Sequence, residues 1–386
     1  MKNLIISLTY LISTVILSQT KVQAQGWKNI SWSIGAKIPA AAGQGASLGL
    51  AGAMAGQHNG VFILAGGTNF PDKMPWMGGQ KKYYDQVYVF DERLKPVKLS
   101  FKLPFNLAYS ASVSTASGFI IAGGENEKGL SAKVMQLKWN TDSGLLSISF
   151  LPDLPLPTTG ATMVAVGDML YLAGGEFIES SSDRFYSLNL KDISSGWKTL
   201  PKLPQPASHS VLLSSEKGNS TKLYLLGGRR KNPDGISTIY DQVYCFDTVT
   251  KTWSERAPLP HPLAAASGLQ LGDACYVFSG DEGKTFNQTE NLISAIKKET
   301  DPGKKLSLEK AKATLQSAHP GFSKGVLKYD MVLDHWTELK AAMPYGPVTT
   351  NAVLFNNKII IAAGEIRAGV RTADIVVGKE IKDERK

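Results

Sequence analysis

The stretch Val61-Phe-Ile-Leu-Ala-Gly-Gly67 is an apolar run that ends in two small residues, and this pattern decides the fold. Variants of the pattern recur at Phe119–Gly124, Leu170–Gly175, Leu223–Gly228, Cys275–Gly280 and Ile359–Gly364. The first small residues of successive pairs lie 57, 51, 53, 52 and 84 residues apart. A regular spacing near fifty residues with one enlarged gap indicates an array of similar structural units.

Each copy is followed by a second strand-like run, such as Asp85-Gln-Val-Tyr-Val-Phe-Asp91, and then by a Trp or aliphatic turn and a Leu-Pro. Short runs of β-branched and aromatic residues bounded by Gly, Pro, Asp and Asn predict strands, so each unit should contain four short strands. Such a unit resembles the kelch repeat, and six copies resemble a six-bladed kelch-type β-propeller. The fold class is therefore predicted to be all-β. A strand-rich sandwich is the alternative, which the even spacing disfavours.

The first residues have the pattern of a secretory signal peptide. Met1-Lys-Asn precedes the apolar run Leu4 to Leu17, and Val22-Gln-Ala24 is a small-residue cleavage site. We expect a signal peptide over residues 1–24, a single propeller domain over residues 25–386, and export to the bacterial periplasm. The apolar run is too short to span a bilayer and no other long run follows, so we expect no membrane span in the mature protein.

The last repeat lacks an outer strand. After Gly364 the chain makes one more strand-like run, Ala373 to Gly378, and then enters a charged tail. A Trp-containing segment before the first repeat has the spacing of the missing strand. We therefore expect residues of about 27–34 to complete the last blade, which would remove two open sheet edges.

The enlarged gap, roughly residues 284–324, has the apolar periodicity of two short helices separated by Asp301-Pro-Gly303. Ser307 is the expected N-cap of the second helix. The periodic residues are Leu292, Ile293 and Ile296 in the first helix and Leu308, Ala311 and Leu315 in the second. The insertion is either a lid over one face of the propeller or a decoration without a role at the site.

Polar residues follow the small pairs at equivalent positions. Since equivalent loops of a propeller reach the same face near its axis, these residues should form a ring that suits a polar ligand. The ring consists of Thr68-Asn69, Glu125, Glu176, Arg229-Arg230, Asp281-Glu282 and Glu365. Alternatively, most of these side chains only bond to loop backbone or to neighbouring charges.

The composition excludes several classes of function. The formal net charge is +9, but the basic residues are scattered, so no nucleic-acid partner is predicted. The five histidines show no metal-ligand spacing, and we predict neither a metal nor another cofactor. Cys245 and Cys275 allow one disulfide, although both fall in predicted strands, where buried unpaired thiols are commoner.

The segment Gly364-Glu-Ile-Arg-Ala-Gly-Val-Arg-Thr-Ala-Asp374 resembles the active-site loop of bacterial N-acetylneuraminate epimerases, exported sialic acid mutarotases built on a kelch propeller. The resemblance implies that Glu365 is the proton acceptor and that Arg371 also takes part. The motif falls mid-chain in the better-known members and last in this sequence, so this chain resembles a circularly permuted member. Weaker similarities occur at 66–70, 107–109, 286–287 and 345–346.

This resemblance implies an isomerase that interconverts the α and β anomers of N-acetylneuraminate, a small acidic sugar, by acid–base ring opening and reclosure. Arg371 would hold the substrate carboxylate. Further candidates for substrate contacts are Asn69, Phe70, Tyr109, Glu176, Arg229, Asn287 and Tyr345. Two alternatives stay open: a non-enzymatic kelch module that binds carbohydrate or protein, and a glycoside hydrolase in which Glu125 or Glu176 partners Glu365.

Overall fold

A computed structural model describes residues 26–381 except 41–44, 98–99, 218–219 and 341. These residues form six four-stranded antiparallel sheets, short two-stranded ribbons and two α-helices. The predicted all-β, six-bladed propeller with a helical insertion is confirmed. The expected signal peptide over residues 1–24 lies outside the described residues. Within them, no helix combines the length and the apolar character needed to cross a bilayer.

Short strands make up most of the described chain. The strands are β1 (Ile30–Lys37), β2 (Met54–His58), β3 (Val61–Ala65), β4 (Thr68–Asn69), β5 (Lys82–Tyr83), β6 (Gln86–Phe90), β7 (Phe101–Lys102), β8 (Ala111–Thr115), β9 (Gly118–Ala122), β10 (Glu125–Asn126), β11 (Gly129–Leu130), β12 (Val134–Asn140), β13 (Leu145–Leu151), β14 (Thr162–Val166), β15 (Met169–Ala173), β16 (Phe185–Asn189), β17 (Lys198–Thr199), β18 (Val211–Lys217), β19 (Ser220–Leu226), β20 (Arg229–Arg230), β21 (Thr238–Ile239), β22 (Val243–Asp247), β23 (Thr252–Arg256), β24 (Ser267–Leu271), β25 (Ala274–Phe278), β26 (Val326–Asp330), β27 (His335–Glu338), β28 (Ala352–Phe355), β29 (Lys358–Ala362), β30 (Glu365–Arg367), β31 (Val370–Arg371) and β32 (Asp374–Glu380). The α-helices are α1 (Lys284–Lys298) and α2 (Pro302–Ser317), and short 3-10 turns cover Pro75–Met77 and Ile193–Ser195.

Each blade is a meander that runs outward from the propeller axis. The strand orders are β2-β3-β6-β7, β8-β9-β12-β13, β14-β15-β16-β17, β18-β19-β22-β23, β24-β25-β26-β27 and β28-β29-β32-β1 for blades one to six. The first strand of each blade lines the axis and contacts the first strand of the next blade, and β28 contacts β2. The chain thus returns to its first blade, as a closed propeller requires.

The hydrophobic core is divided among the blade interfaces. In the described residues, six apolar clusters each join two neighbouring blades. Phe62 of the first blade packs with Phe355 of the sixth, with ring centroids 6.2 Å apart. Cys245 and Cys275 are both free and buried, and they belong to the cluster between the fourth and fifth blades. Packing between sheets, rather than within one sheet, therefore holds the propeller together.

The small pairs that end the second strands mark a close approach between blades. Gly66 has φ +63°, and a Cβ atom there would clash with the carbonyl oxygen of Leu107 in the next blade. The following Gly67 donates its N–H to that same carbonyl at 2.8 Å. A larger residue at Gly66 would therefore clash with the next blade, and four of the six repeats have glycine at this position. Ser279 and Ala363 occupy it in the last two repeats, with left-handed φ values of 60° and 64°.

The sixth blade contains strands from both ends of the described chain. Strand β1 pairs antiparallel with β32, from Ile30 opposite Glu380 to Lys37 opposite Asp374, with an irregularity between Ile34 and Ala36. The strand expected near residues 27–34 corresponds to β1, which begins and ends three residues later. Trp27 precedes the strand and packs in the cluster between the fifth and sixth blades. These hydrogen bonds tie the N-terminal segment to the C-terminal strand.

The helical insertion leaves the fifth blade between β25 and β26, and α1 and α2 pack against each other. The predicted N-cap at Ser307 is wrong. Helix α2 begins at Pro302, and the side chain of Asp301 accepts the N–H of Lys304 at 2.7 Å. Proline suits the first helical position because its missing N–H needs no partner there. Ser307 instead lies inside the helix, where its hydroxyl donates to Gly303 O at 3.0 Å.

A closed ring of backbone hydrogen bonds surrounds the axis. Each blade has one residue with a left-handed φ shortly before its first strand. These six described residues have φ values between 51° and 63°. Each donates its N–H to the carbonyl of the equivalent residue in the preceding blade, over 2.8 to 3.1 Å. In donor order the ring runs from Gly52 to Thr349, Ala265, His209, Gly160, Tyr109 and back to Gly52. We call it the axial ring.

Candidate functional site

A cavity of about 550 Å³ opens on the face that carries the loops after the small pairs. Residues of the axial ring form its floor, including Tyr109, His209 and Thr349. The walls come from the loops between the second and third strands, and the insertion of the fifth blade forms the roof. A concave site of this size suits a single sugar.

The predicted ring of polar residues is present in part. Glu125, Glu176, Arg229, Asp281 and Glu365 line the cavity. In the first blade the equivalent residue, Thr68, is buried and donates to Lys82 O at 2.7 Å, so it does not reach the cavity. The partners Arg230 and Glu282 are also absent from the lining, because successive side chains of an extended segment alternate in direction.

Glu365 and Arg371 meet across a short hairpin. They lie opposite each other in β30 and β31, and Gly369, with φ +70°, forms the turn between them. The Arg371 Nη2 atom lies 3.2 Å from Glu365 Oε2, and the N–H of Gly369 donates to Glu365 Oε1 at 2.8 Å. A tight hairpin thus brings together two residues that are separated in the sequence.

Arg371 retains hydrogen-bonding capacity. Its side chain is only 4% exposed, and among the described residues neither Nε nor Nη1 has a partner. The guanidinium lies over the ring of Phe70, with Cζ 4.5 Å from the ring centroid. Stacking fixes the plane of the group. Because buried N–H donors are costly without acceptors, this arginine is suited to an anionic ligand in the cavity.

The environment of Glu365 favours its protonated form. Burial raises the pKa of this carboxyl above its ordinary value, and the opposing effects of Arg371, the Gly369 N–H and Lys81 do not cancel that shift. A carboxyl group with a raised pKa in a cavity is suited to general acid–base catalysis.

Glu176 and Arg229 form a different kind of pair. Glu176 Oε1 accepts from Arg229 Nε at 2.9 Å and from the Ser208 hydroxyl at 2.7 Å, and Arg229 Nη2 lies 2.9 Å from the same oxygen. Burial alone would raise the pKa of Glu176, but His209 in its protonated form, Arg229 and Ser208 together lower it. The Arg229 guanidinium also lies 4.9 Å from the ring centroid of Phe286 in α1. This carboxylate is held ionised and in place.

Two aromatic side chains stand on the floor, and each has a glycine of the preceding blade beneath it. A Cβ atom on Gly52 would lie 2.6 Å from the Tyr109 ring, and one on Gly160 would lie 2.8 Å from His209 Nε2. Burial raises the pKa of Tyr109. Burial and Arg229 lower the pKa of His209 to about 4, so this imidazole is neutral at pH 7. Tyr109 and His209 also have left-handed backbone φ values. At non-glycine residues this is a strained conformation that is common at functional sites.

Lys81 is a cavity residue that the sequence did not reveal. Its Nζ lies 3.3 Å from Glu125 Oε1 and 5.0 Å from the Tyr109 ring centroid. Burial acts to lower its pKa, but Tyr109, Glu125 and Tyr83 outweigh that effect and raise it, so the ammonium stays charged. The Tyr83 hydroxyl donates to the same Glu125 oxygen at 2.7 Å. Glu125 is thus engaged by neighbouring side chains.

Three predicted substrate contacts lie outside the cavity lining. The Asn69 amide donates to Gly49 O at 2.9 Å, and its oxygen accepts from Tyr84 at 2.8 Å. The Tyr345 hydroxyl donates to Asp374 at 2.8 Å. Asn287 lies in α1, with its side-chain oxygen buried and unpartnered among the described residues. Phe70, Tyr109, Glu176 and Arg229 do line the cavity.

The roof adds residues that the repeat pattern does not single out. Phe286 and Ile293 of α1 and the segment after α2, with His319 and Phe322, line the cavity. Helix α2 also contacts the 3-10 turn of the first blade, so the insertion bridges the cavity. Among the described residues, no three His, Cys, Asp or Glu side chains are grouped so that they could hold a metal ion.

The comparisons with known proteins agree with the motif at Glu365. Residues 13–146 and 151–385 match the N-acetylneuraminate epimerase family. The chain is 28% identical over 232 residues to an N-acetylneuraminate epimerase of Haemophilus influenzae (strain 86-028NP), which covers 59% of each chain. It is 26% identical over 253 residues to one of Brucella melitensis biotype 1, or 64% of this chain and 63% of the relative. A Kelch domain-containing protein of Vibrio cholerae serotype O1 is 26% identical over 233 residues, 59% of this chain and 63% of the relative.

The chain spans about three-fifths of the length of these curated relatives. The permuted order of its repeats stays a prediction. The family match extends over the repeats that build the cavity and includes the hairpin of Glu365 and Arg371. By this match, the chain belongs to the N-acetylneuraminate epimerase family.

Proposed function

We propose that the protein is an exported mutarotase that interconverts the α and β anomers of N-acetylneuraminate. The observation that carries the proposal is the pair at the cavity wall, in which a carboxyl with a raised pKa lies 3.2 Å from an arginine that has unpartnered N–H groups. A 2-keto sugar acid offers a hydroxyl proton for the carboxylate and a carboxylate for the arginine. The family match supports the same reaction class.

The reaction divides between the two side chains. The Glu365 carboxylate takes the proton of the anomeric hydroxyl, and that oxygen forms a carbonyl as the bond between the anomeric carbon and the ring oxygen breaks. The ring oxygen then receives the proton from the protonated carboxyl. Rotation of the open chain presents the other carbonyl face, and reclosure reverses the proton transfers to give the opposite anomer. The net change in protons is zero.

The substrate would be oriented through its carboxylate. The Arg371 guanidinium would pair with that carboxylate, and Phe70 holds the guanidinium in one plane. Lys81 and Arg229 add positive charge to the cavity, where attraction to an anion is less screened than in bulk water. Holding one end of the sugar keeps the anomeric centre near Glu365.

The test follows freshly released α-N-acetylneuraminate by proton NMR, with and without the purified protein and with no cofactor added. The proposal predicts faster approach to the anomeric equilibrium with protein. Equal rates would contradict it and favour a binding module. Release of free sugar from a sialoside would instead favour a hydrolase, in which a second carboxylate must act with Glu365.

A further inference from the structure

The roof of the cavity combines apolar surface with a hydrogen-bond donor of fixed orientation. Ile293 of α1 is 49% exposed although it lines the cavity, so its apolar side chain lacks full packing within the protein. Phe286 and Phe322 lie on the same roof. Apolar side chains left open inside a cavity favour an apolar group on the ligand.

The donor is His319. The N–H of Gly321 donates to His319 Nδ1 at 3.0 Å, so Nδ1 acts as an acceptor. In a neutral imidazole the proton must then lie on Nε2. Burial and the charge of Arg367 both lower the pKa of His319, which keeps the ring neutral at pH 7. The backbone N–H of Gly321, two residues after His319, thus fixes the tautomer of the imidazole.

The orientation of this imidazole is fixed by packing. His319 is 7% exposed, and its ring lies 4.7 Å from that of Phe322. Within the described part of the chain, Nε2 has no hydrogen-bond partner, and His319 lines the cavity. An N–H donor on a cavity-lining side chain that has no protein acceptor is suited to an acceptor atom on a ligand.

We infer that the roof formed by His319, Ile293, Phe286 and Phe322 is a subsite for the N-acyl substituent of an acylamino sugar acid. The carbonyl oxygen of the acyl group would accept from His319 Nε2, and its methyl group would contact the apolar side chains. This inference rests on the proposed mutarotase function, because it concerns the opposite end of the same substrate. It makes the insertion a specificity element for acylated sugars.

The experiment compares N-acetylneuraminate with the analogue that carries a hydroxyl in place of the acetamido group. For each sugar, kcat/KM for mutarotation is measured by NMR, and the ratio of the two values is the readout. The wild-type protein should prefer the acetamido sugar by about 10-fold or more, since it gains a hydrogen bond and buries a methyl group.

The variants distinguish the loss of the His319 Nε2 donor from a disturbance of the turn at Gly321. His319→Asn keeps an acceptor near the Nδ1 position for Gly321 but removes the distal donor, so the preference should fall about 10-fold. His319→Gln keeps a distal N–H and should retain more of the preference than His319→Asn. Ile293→Ser removes apolar surface at a half-exposed position, with little cost to folding, and should also lower the ratio. His335→Asn, on the exposed outer strand β27, is the matched control and should leave the ratio unchanged.

The outcomes distinguish this inference from the proposed function. Acceleration of both sugars with equal kcat/KM by the wild-type protein would overturn the subsite while leaving a mutarotase. An unchanged ratio in His319→Asn and Ile293→Ser would overturn it as well. Acceleration of neither sugar would overturn both the subsite and the mutarotase assignment.

Discussion

The cavity contains two glutamate–arginine pairs that differ in how completely they are satisfied. In the pair of Glu176 and Arg229, one carboxylate oxygen accepts two hydrogen bonds, from Arg229 Nε and from Ser208, and makes an ion-pair contact with Arg229 Nη2. In the pair of Glu365 and Arg371, the arginine makes one contact at 3.2 Å and keeps two N–H groups without partners among the described residues. The first pair is satisfied within the protein, whereas the second leaves two donors of its arginine unsatisfied.

The same difference appears in the acid–base properties. The Glu176 pKa is lowered although the side chain is buried, because its charge is well compensated, whereas burial raises the Glu365 pKa. Identical residue types therefore acquire opposite properties from their surroundings. The sequence motif alone distinguishes them only through the hairpin that carries Glu365 and Arg371.

The largest expected effect separates the two glutamates in catalysis. Glu365→Gln keeps the size of the side chain but removes the proton-accepting oxygen, so kcat should fall by about 10²- to 10⁴-fold with a modest change in KM. The measurement is NMR mutarotation of N-acetylneuraminate. Glu176→Gln is the matched control and should lower kcat by less than about 10-fold. Near-full activity of correctly folded Glu365→Gln would move the base elsewhere.

The arginine paired with Glu365 should give the next largest effect. Arg371→Lys keeps the charge but loses the planar group that stacks on Phe70, so we expect KM to rise by about 10-fold. The kcat should also fall, because a loosely held substrate is aligned with the base for less of the time. Both constants come from initial rates at several substrate concentrations. An unchanged KM would contradict a role in holding the carboxylate.

In the stability of the folded protein we expect the opposite ranking: Glu176→Gln should cost more than Glu365→Gln. These effects should be smaller than the effects on catalysis. At pH 7, Glu176→Gln should destabilise the protein by about 1–3 kcal/mol, because Arg229 loses its charged partner. Glu365→Gln should be neutral or slightly stabilising, because it removes a buried carboxyl whose ionisation opposes folding. Thermal unfolding followed by circular dichroism measures both differences.

The pH dependence checks the sign of each effect. The stability that ionised Glu176 contributes is present above the ordinary glutamate pKa of 4.5 and is lost as pH falls through its lowered folded value. The defect of Glu176→Gln should therefore shrink in acid. For Glu365 the folded pKa is raised, so wild-type stability should fall relative to Glu365→Gln as pH rises above 4.5. The prediction would be wrong if Glu365→Gln were less stable than the wild type by an amount that grows with pH.

The sequence predicts those features that depend on residues close together in the chain. The glycine pairs reveal the propeller because close contact between blades restricts the residue type at each repeat. The Glu365 and Arg371 pair is also local, since a tight hairpin joins the two residues. His209 had a usable signal, because Ala207-Ser-His209 stands at the same place in its repeat as Leu107-Ala-Tyr109.

Other features depend on long-range packing. The sequence predicts Asn69 in the cavity, but its side chain bonds to Gly49 and Tyr84, because side chains alternate along the segment that ends at Phe70. His319 reaches the site only because the insertion folds back over the propeller. The residue pattern does not determine the direction in which such an insertion returns, so propensities could not identify this side chain.

The axial ring has a further consequence for the history of this fold. Its six described members form a cycle, and a cycle has no first residue. Each member gives a hydrogen bond to one neighbouring blade and receives one from the other. Joining the chain ends and opening the polypeptide between any two blades would leave all of these bonds, with Tyr109 and His209 above them, in place. Evolution can therefore shift the origin of the gene from blade to blade without displacing the floor on which the chemistry rests.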